Sequence, residues 1–373
     1  MSKLAIGAAD DVNPLLTLNR NQSPDFVIKA AGDEDRQAII KLMSNTYTGD
    51  MEARFAWLYR ANPHGRALTW LAIERASGEV VGCTSMFPRK VIVKGCERRG
   101  SIGGDCYIEP RARRRGLATA LHLASFAEMR ESGVEFMYGP PTLNNLGALI
   151  KAGSHDVTGY RRWVRPLSRR GAYRAACARA PTTLKARVVD WPLRIFDRVT
   201  RIDTTGYTLE PVHQFGAAFD GLLHRAAETH GVVCVRDAAY LNWRYRSSPH
   251  HRQTPMAVKR GNEVVGFVAL EQVGERAAIA DLFAENNAKQ IDAILQLAIE
   301  SATDAGCSSL EINVTEHGAI ARRLHRHGFI GRDERRFQVA AASDDPQRRT
   351  LLDPAAWHFT ENDQDMDTVF AQG

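Results

Sequence analysis

An α/β (α+β) chain made of two similar halves is what this sequence predicts, and three observations carry the prediction. FAWLYRANPHG (55–65) finds LNWRYRSSPHH (241–251), so that Trp57, Tyr59, Arg60, Pro63 and His64 match Trp243, Tyr245, Arg246, Pro249 and His250 at one offset of 186. Glu-Val-Val-Gly then follows in both halves, at 79–82 and 263–266. Lastly, each half closes with the same order of a helix pattern, a glycine, a strand pattern and a second helix pattern ending on glycine. The glycines are Gly133 and Gly153 in the first half and Gly306 and Gly328 in the second. Five residue types in one register describe a duplicated unit rather than one long domain.

Taken in order, residues 1–25 lack a continuous apolar run and carry two adjacent aspartates, so they read as a flexible arm and not as a signal peptide. The first domain spans 26–166. A strand begins at Phe26, and a helix follows with Ile39, Ile40 and Met43 at helical spacing behind an acidic turn. TWLAIERASGEVVGCTSMFP gives two strands about a Ser-Gly turn, and SIGGDCYIEP gives another that Pro110 stops. From Gly116 to Met129 the pattern is helical, with Leu117, Leu121, Ala124 and Phe126 available for burial. Glycine just past a helix supplies the left-handed stop, and strand-helix-strand order implies local parallel pairing. Residues 167–206 form a basic linker in which Leu184, Val188, Trp191, Ile195 and Val199 share one helical face, although Pro192 interrupts it. That face packs between the domains or rests on a membrane surface. The second domain spans 207–341, and 342–373 is a C-terminal tail.

The net charge of +6 is local: Arg161 to Arg201 holds twelve Arg/Lys against two aspartates, a net +10, which leaves −4 elsewhere. General nucleic-acid binding is therefore not expected. The six cysteines are scattered, without a Cys-x-x-Cys pair or histidines at zinc spacing, so a metal site is not expected and a reducing cytoplasm is.

EPRARRRGLATAL (109–121) places four arginines at a strand-to-helix turn. There the helix's first amides lack intrahelical acceptors, the dipole adds positive potential, and arginines add charge-assisted contacts, an arrangement that favours a diphosphate. The run Arg113, Arg114, Arg115, Gly116, Leu117, Ala118 resembles the R-x-x-G-x-A acyl-CoA motif of the GNAT superfamily of N-acyltransferases. The resemblance covers 26–166 and 207–341. It implies two domains, each a mixed, mostly antiparallel sheet with a splayed parallel strand pair and flanking helices. The second copy reads DLFAENNAKQIDAIL at the cradle position, without the arginines or the glycine, and is identified as degenerate.

The same resemblance implies acetyl-CoA or another acyl-CoA as co-substrate. Its pyrophosphate would lie on Arg113, Arg114, Arg115, Gly116, Leu117, Ala118 and Thr119, and its pantetheine arm along Cys106, Ile108 and Asn145. An amide of that strand would polarise the thioester carbonyl while a primary amine attacks. The acceptor is a small-molecule amine, an amino sugar or a protein amino group. The tyrosine that serves many GNAT enzymes as acid is replaced by Leu149, and by Leu324 in the second copy. Tyr138 or water stands in for it, and Asp105 and Glu109 are the candidate bases, which strand alternation sets on the face of Tyr107. His122 reads as a packed histidine, and His250, His251, His325 and His327 as a surface patch. The repeated Trp-Tyr-Arg set reads as packing, since it persists in the half without the cradle. Two alternatives stay open: a non-catalytic acyl-CoA-binding or scaffold protein, and a Fem-type peptidyltransferase that takes its group from aminoacyl-tRNA.

Overall fold

The computed structural model describes residues 24–167, 201–250 and 252–365. Most of the N-terminal arm, the linker face from Leu184 to Val199, His251 and the last eight residues lie outside them. The first half runs β1 (Phe26–Ala30), α1 (Arg36–Ser44), α2 (Met51–Arg54), β2 (Leu68–Glu74), β3 (Val80–Val93), β4 (Cys96–Ile108), α3 (Leu117–Met129), β5 (Phe136–Gly139), α4 (Leu143–Lys151) and β6 (His155–Pro166). The second runs β7 (Tyr207–Pro211), α5 (Ala217–Thr229), β8 (Val232–Cys234), α6 (Ala238–Arg246), β9 (Gln253–Arg260), β10 (Glu263–Val273), β11 (Arg276–Ala284), α7 (Ala288–Asp304), β12 (Ser309–Thr315), α8 (Ala321–Leu324) and β13 (Ile330–Ala341). The tail adds α9 (Arg348–Leu351) and β14 (Trp357–His358). Gly133, Gly153, Gly306 and Gly328 all take positive φ, between 73° and 105°, as helix stops.

The halves share one mixed sheet, ordered β1-β2-β3-β4-β5-β13-β6-β12-β11-β10-β9-β7. Most neighbours are antiparallel, but β4 runs parallel to β5, and β11 to β12, across the α3 and α7 crossovers. The last strands are exchanged. β13 of the second half pairs with β5, and β6 of the first half pairs with β12. A cut at residue 166 therefore divides the sequence but not the sheet.

The repeated motif sits at the join. Trp57 and Trp243 stack at 4.8 Å, and each indole N–H donates to the other's backbone carbonyl at 3.1 Å. Around this near-twofold contact one core mixes side chains from both halves, including Phe55, Tyr138, Tyr240, Phe267 and Trp357. A second core lies under α3 and α4, a third under α7. His327 departs from the surface patch expected of it. It is buried, with Nε2 3.0 Å from Asp292 Oδ1, because α8 folds back onto α7.

Candidate active site

β4 and β5 pair only over Gly100–Ile102 and Phe136–Tyr138, and then part. The gap is a cleft of about 980 Å³ including its open mouth. It is lined by His122, Phe126, Asn145 and Leu149 of α3 and α4, and by Met43, Tyr47, Arg335 and the tail residues Gln364 and Asp365.

At the far end of β4 the chain turns into α3 through Arg114 (φ 61°) and Gly116 (φ 78°), two left-handed residues. A Cβ on Gly116 would touch nothing, so glycine serves the backbone angle there and the space above it stays open. Ala120 N–H bonds Gly116 O at 3.1 Å, whereas Leu117, Ala118 and Thr119 are the first-turn residues whose amides have no acceptor within the helix. The arginines divide their work. Arg111 is held by Glu74, Glu79 and Glu109, Arg113 donates to Ile108 O at 2.9 Å, and Arg115 pairs with Asp25 and lies 4.3 Å over the Phe26 ring. All are exposed. The Leu117 side chain is buried in the core beneath α3, which leaves only its amide to offer a ligand.

Within the cleft, Asn145 Oδ1 lies 2.9 Å from His122 Nε2. Burial lowers the His122 pKa, against the hydrogen bond to Asn145, and so favours the neutral ring. Asn145 is not the cap of α4, a position held by Thr142. Cys106 lines the cleft, and burial pushes its thiol up to about 11 despite a hydrogen bond with Thr84. Ile108 is outside the cleft lining and its carbonyl is taken by Arg113.

The three candidate proton handlers are dispersed. A bulge opposite Cys83 and Ser85 breaks the alternation that would align Asp105, Tyr107 and Glu109, and Asp105 takes φ 46° there. Its buried carboxylate accepts from Arg54 at 2.8 and 3.1 Å, Tyr47 at 2.8 Å and Tyr59 at 2.6 Å. Burial pushes its pKa up, but the Arg54 charge and these hydrogen bonds outweigh it and the carboxyl is lowered overall. Asp105 also has a twin in the degenerate half. Asp281, likewise at a register shift, accepts from Tyr245 at 3.2 Å and from Arg236 at 3.1 Å twice. Tyr59 and Tyr245 are the repeat partners, so the Trp-Tyr motif carries the anchor of a bulge aspartate in both halves. Glu109 lies outside the cleft on Arg111, 2.9 Å from its Nε. The Tyr138 hydroxyl is 3.1 Å from Cys234 Sγ, with the ring among Phe136, Phe337, Trp357 and Phe359, and burial holds the phenol up.

Sequence reasoning missed Tyr47, Arg54 and Asp365. The Gly103-Gly104 pair inside a strand was a usable signal, since glycine there marks close approach by another group.

In the second half the corresponding helix start is closed. Asn287 Oδ1 accepts the amides of Lys289 at 3.0 Å and Gln290 at 3.4 Å, so the chain's own side chain takes the anion's place. Among the described residues no three His, Cys, Asp or Glu side chains are grouped to hold a metal ion.

A splayed parallel strand pair beside a helix start whose first amides lack acceptors within the helix is the arrangement expected of an acyltransferase. Residues 27–146 match the family described as acetyltransferase (GNAT) domain, and 221–329 match the acetyltransferase (GNAT) family. The chain belongs to the GNAT superfamily and carries two of its domains in tandem. No curated protein matches it in sequence. Among solved structures it is similar to a GCN5-related N-acetyltransferase from Anabaena variabilis (TM-score 0.61, 15% identity, 85% of this chain and 72% of that one). It also resembles one from Kribbella flavida (0.57, 12%, 87% and 72%) and the N-myristoyltransferase of Saccharomyces cerevisiae with bound myristoyl-CoA (0.53, 11%, 91% and 90%). At these identities the likeness is one of fold.

Proposed function

We propose that the first half transfers an acyl group, acetyl in the simplest case, from a coenzyme A thioester to a primary amine by direct attack. The observation that carries this is a coincidence in one half of an open strand cleft and a helix start that no side chain caps, with open space around Gly116, while in the other half Asn287 caps the helix start. The amides of Leu117, Ala118 and Thr119, with Arg113, Arg114 and Arg115 around them, hold the pyrophosphate, and Asn145 and the main chain at Cys106 hold the pantetheine arm. A strand amide past the bulge supplies the donor for the thioester oxygen. Aligning amine and thioester in a cleft of this kind removes much of the entropic barrier without a covalent enzyme intermediate. The leaving thiolate takes its proton from water, since the Tyr138 hydroxyl is directed at Cys234.

The acceptor is a small amine, an amino sugar or a protein amino group. No helix of the described residues is long and apolar enough to cross a membrane, and the five described cysteines are free thiols, which fits a reducing cytoplasm. The +10 segment, which alone favours a tRNA donor or a membrane-surface contact, lies mostly outside the described residues. A binding protein without turnover is the second reading, favoured by Leu149 at the usual tyrosine position. Incubation with acetyl-CoA and a panel of primary amines separates the two. Release of free thiol supports the enzyme, and binding without release supports the sensor.

A further inference from the structure

Because the last strands are exchanged, a residue of the second half reaches the cleft of the first. β13 pairs with β5 only from Gln338 to Ala341, so the stretch before Gln338 runs on past the end of β5, where β4 and β5 have already parted. Alternation sets Arg335 on the face of the buried Phe337, opposite to Glu334 and Arg336. Arg335 lines the cleft, and no other lysine or arginine of the described residues does.

The charges beside it on β13 are spent on one another. Asp333 pairs with Arg162, Glu334 with Arg161 and Arg336, and Arg336 with Asp156. Among the described residues no carboxylate stands within ion-pair distance of the Arg335 guanidinium, which lies 5.5 Å over the Tyr160 ring. Burial holds the Glu361 carboxyl up, against the charge of Arg335 and a hydrogen bond from Tyr160. A contact through the ring face leaves the N–H donors of a guanidinium unspent, and their planar fork matches a carboxylate. The other charged groups of the lining, Asp105 and Asp365, are acids, so neither competes with Arg335 for an anion.

The second half supplies the contrast. Tyr160 and Arg335 each stand seven residues past the glycine that ends the preceding helix, Gly153 or Gly328, and they face each other in register across β6 and β13. They hold the same position of the repeat. After β14 the chain continues as a strap, Phe359 to Asp365, that is buried throughout. Thr360 bridges Val314 of β12, and its hydroxyl donates to Asp281 of β11 at 2.9 Å, so the strap occupies the place where β11 and β12 part. Tyr160 meets this strap, donating to Glu361 and accepting from Gln364 at 3.0 Å. Where the cleft is filled the repeat position is a neutral residue bonded to the filling, and where it is open the position is a cation.

We infer that Arg335 binds a carboxylate of the acceptor, so that the amine acylated in the first half belongs to an amino acid or another amino-carboxylate, and the degenerate half supplies the residue that selects it. The inference rests on amine acylation in the first half as proposed above and narrows its acceptor. The phosphates of the coenzyme are provided for elsewhere, since the cradle from Arg113 to Thr119 lies outside the cleft lining. The carboxylate takes no part in bond making, so its contact is the same before and during reaction, and losing it raises KM more than it lowers kcat.

The test uses the full chain with acetyl-CoA as donor, reading thiol release together with acetyl-CoA binding and melting temperature. The acceptors are the common amino acids, β-alanine and 4-aminobutyrate, each beside its amide, with putrescine and glucosamine as amines that carry no acid. The parent is expected to prefer an acid to its amide in kcat/KM by roughly 10- to 100-fold, the scale of a charge-assisted hydrogen bond. In Arg335→Met, which keeps the stem over Tyr160, that preference is expected to fall to within threefold through a raised KM, with the acetyl-CoA Kd and the melting temperature held. Arg335→Lys should retain part of it, as a point charge without the fork. Equal use of acids and amides by the parent, thiol release with putrescine or glucosamine but with none of the acids, or a preference that survives Arg335→Met overturns the inference and leaves the acyltransferase reading intact. So does an acetyl-CoA Kd weakened more than tenfold in Arg335→Met, which would put the anion on the coenzyme, or a rate with succinyl-CoA that alone responds to the variant, which would put it on the donor's acyl group. A parent chain that binds no acetyl-CoA, or binds it and releases thiol with none of these acceptors, overturns that reading first and the inference with it.

Discussion

Replacing Arg54 with leucine isolates the structural meaning of Asp105. Arg54 is buried, and its guanidinium makes two bonds to the carboxylate while lying 4.3 Å over the Tyr47 ring. Without it Asp105 keeps only the hydroxyls of Tyr47 and Tyr59, and a buried charge loses its counter-charge. Breaking a buried pair from one side costs about 3–5 kcal/mol, against which leucine recovers some apolar packing. In a chain of this size the melting temperature should fall by about 3–6 °C. The pH dependence has a fixed sign. The folded pKa of Asp105 lies below its ordinary value, so its contribution to stability is complete above that ordinary value and is lost as pH falls through the folded one. Differential scanning calorimetry of parent and variant between pH 3 and 7.5 reads both effects. A loss below about 1 kcal/mol, with the parent's acid profile unchanged, would refute the assignment of Asp105 to the scaffold.

Trp57→Phe and Trp243→Phe should each cost about 1–3 kcal/mol, since each deletes an indole donor to a buried carbonyl. In urea titrations the double variant should cost less than the sum, because the two residues share one contact. Burial lowers the pKa of His64 to about 2 and also lowers those of His122, His230, His327 and His358. The unfolded chain therefore binds protons below about pH 6.5 that the folded chain refuses, and stability should fall from pH 7 toward pH 5, His64 alone accounting for about 2 kcal/mol at pH 5. A flat melting temperature across that range would contradict this. Tyr138→Phe should keep kcat within threefold, since its hydroxyl is bonded to Cys234, and a hundredfold loss in the thiol-release assay would restore it as the acid.

Local pattern made much of this protein legible. The glycine stops, the parallel β4-α3-β5 and β11-α7-β12 units and the strand-to-helix turn of the arginine cluster follow from spacing and backbone preference. The exchange of β6 and β13 was not legible, because both pairings are antiparallel edges of equivalent sheets and nothing in the strand sequences selects between them. The bulge at Asp105 defeated alternation for a similar reason: one extra residue reverses every side chain after it. The repeat pointed to packing, and Trp57 with Trp243 bears that out, yet it could not reveal that Tyr59 and Tyr245 each anchor an aspartate nearly 40 or more residues away. The strap was hidden because DPAAWHFTENDQD has the composition of a surface tail, and the groups that satisfy it when buried, Arg89, Arg236, Asp281, Tyr245 and Tyr160, are all distant in sequence.

The central claim is that one half takes an acyl-CoA and the other does not. Calorimetric titration of acetyl-CoA into the full chain tests it most directly, with Gly116→Val and Asn287→Ala as paired variants. The account predicts one site per chain, lost in Gly116→Val, where a β-branched residue is forced to φ 78°, and unchanged in Asn287→Ala. Two sites per chain, no binding, or an affinity that survives Gly116→Val would contradict it.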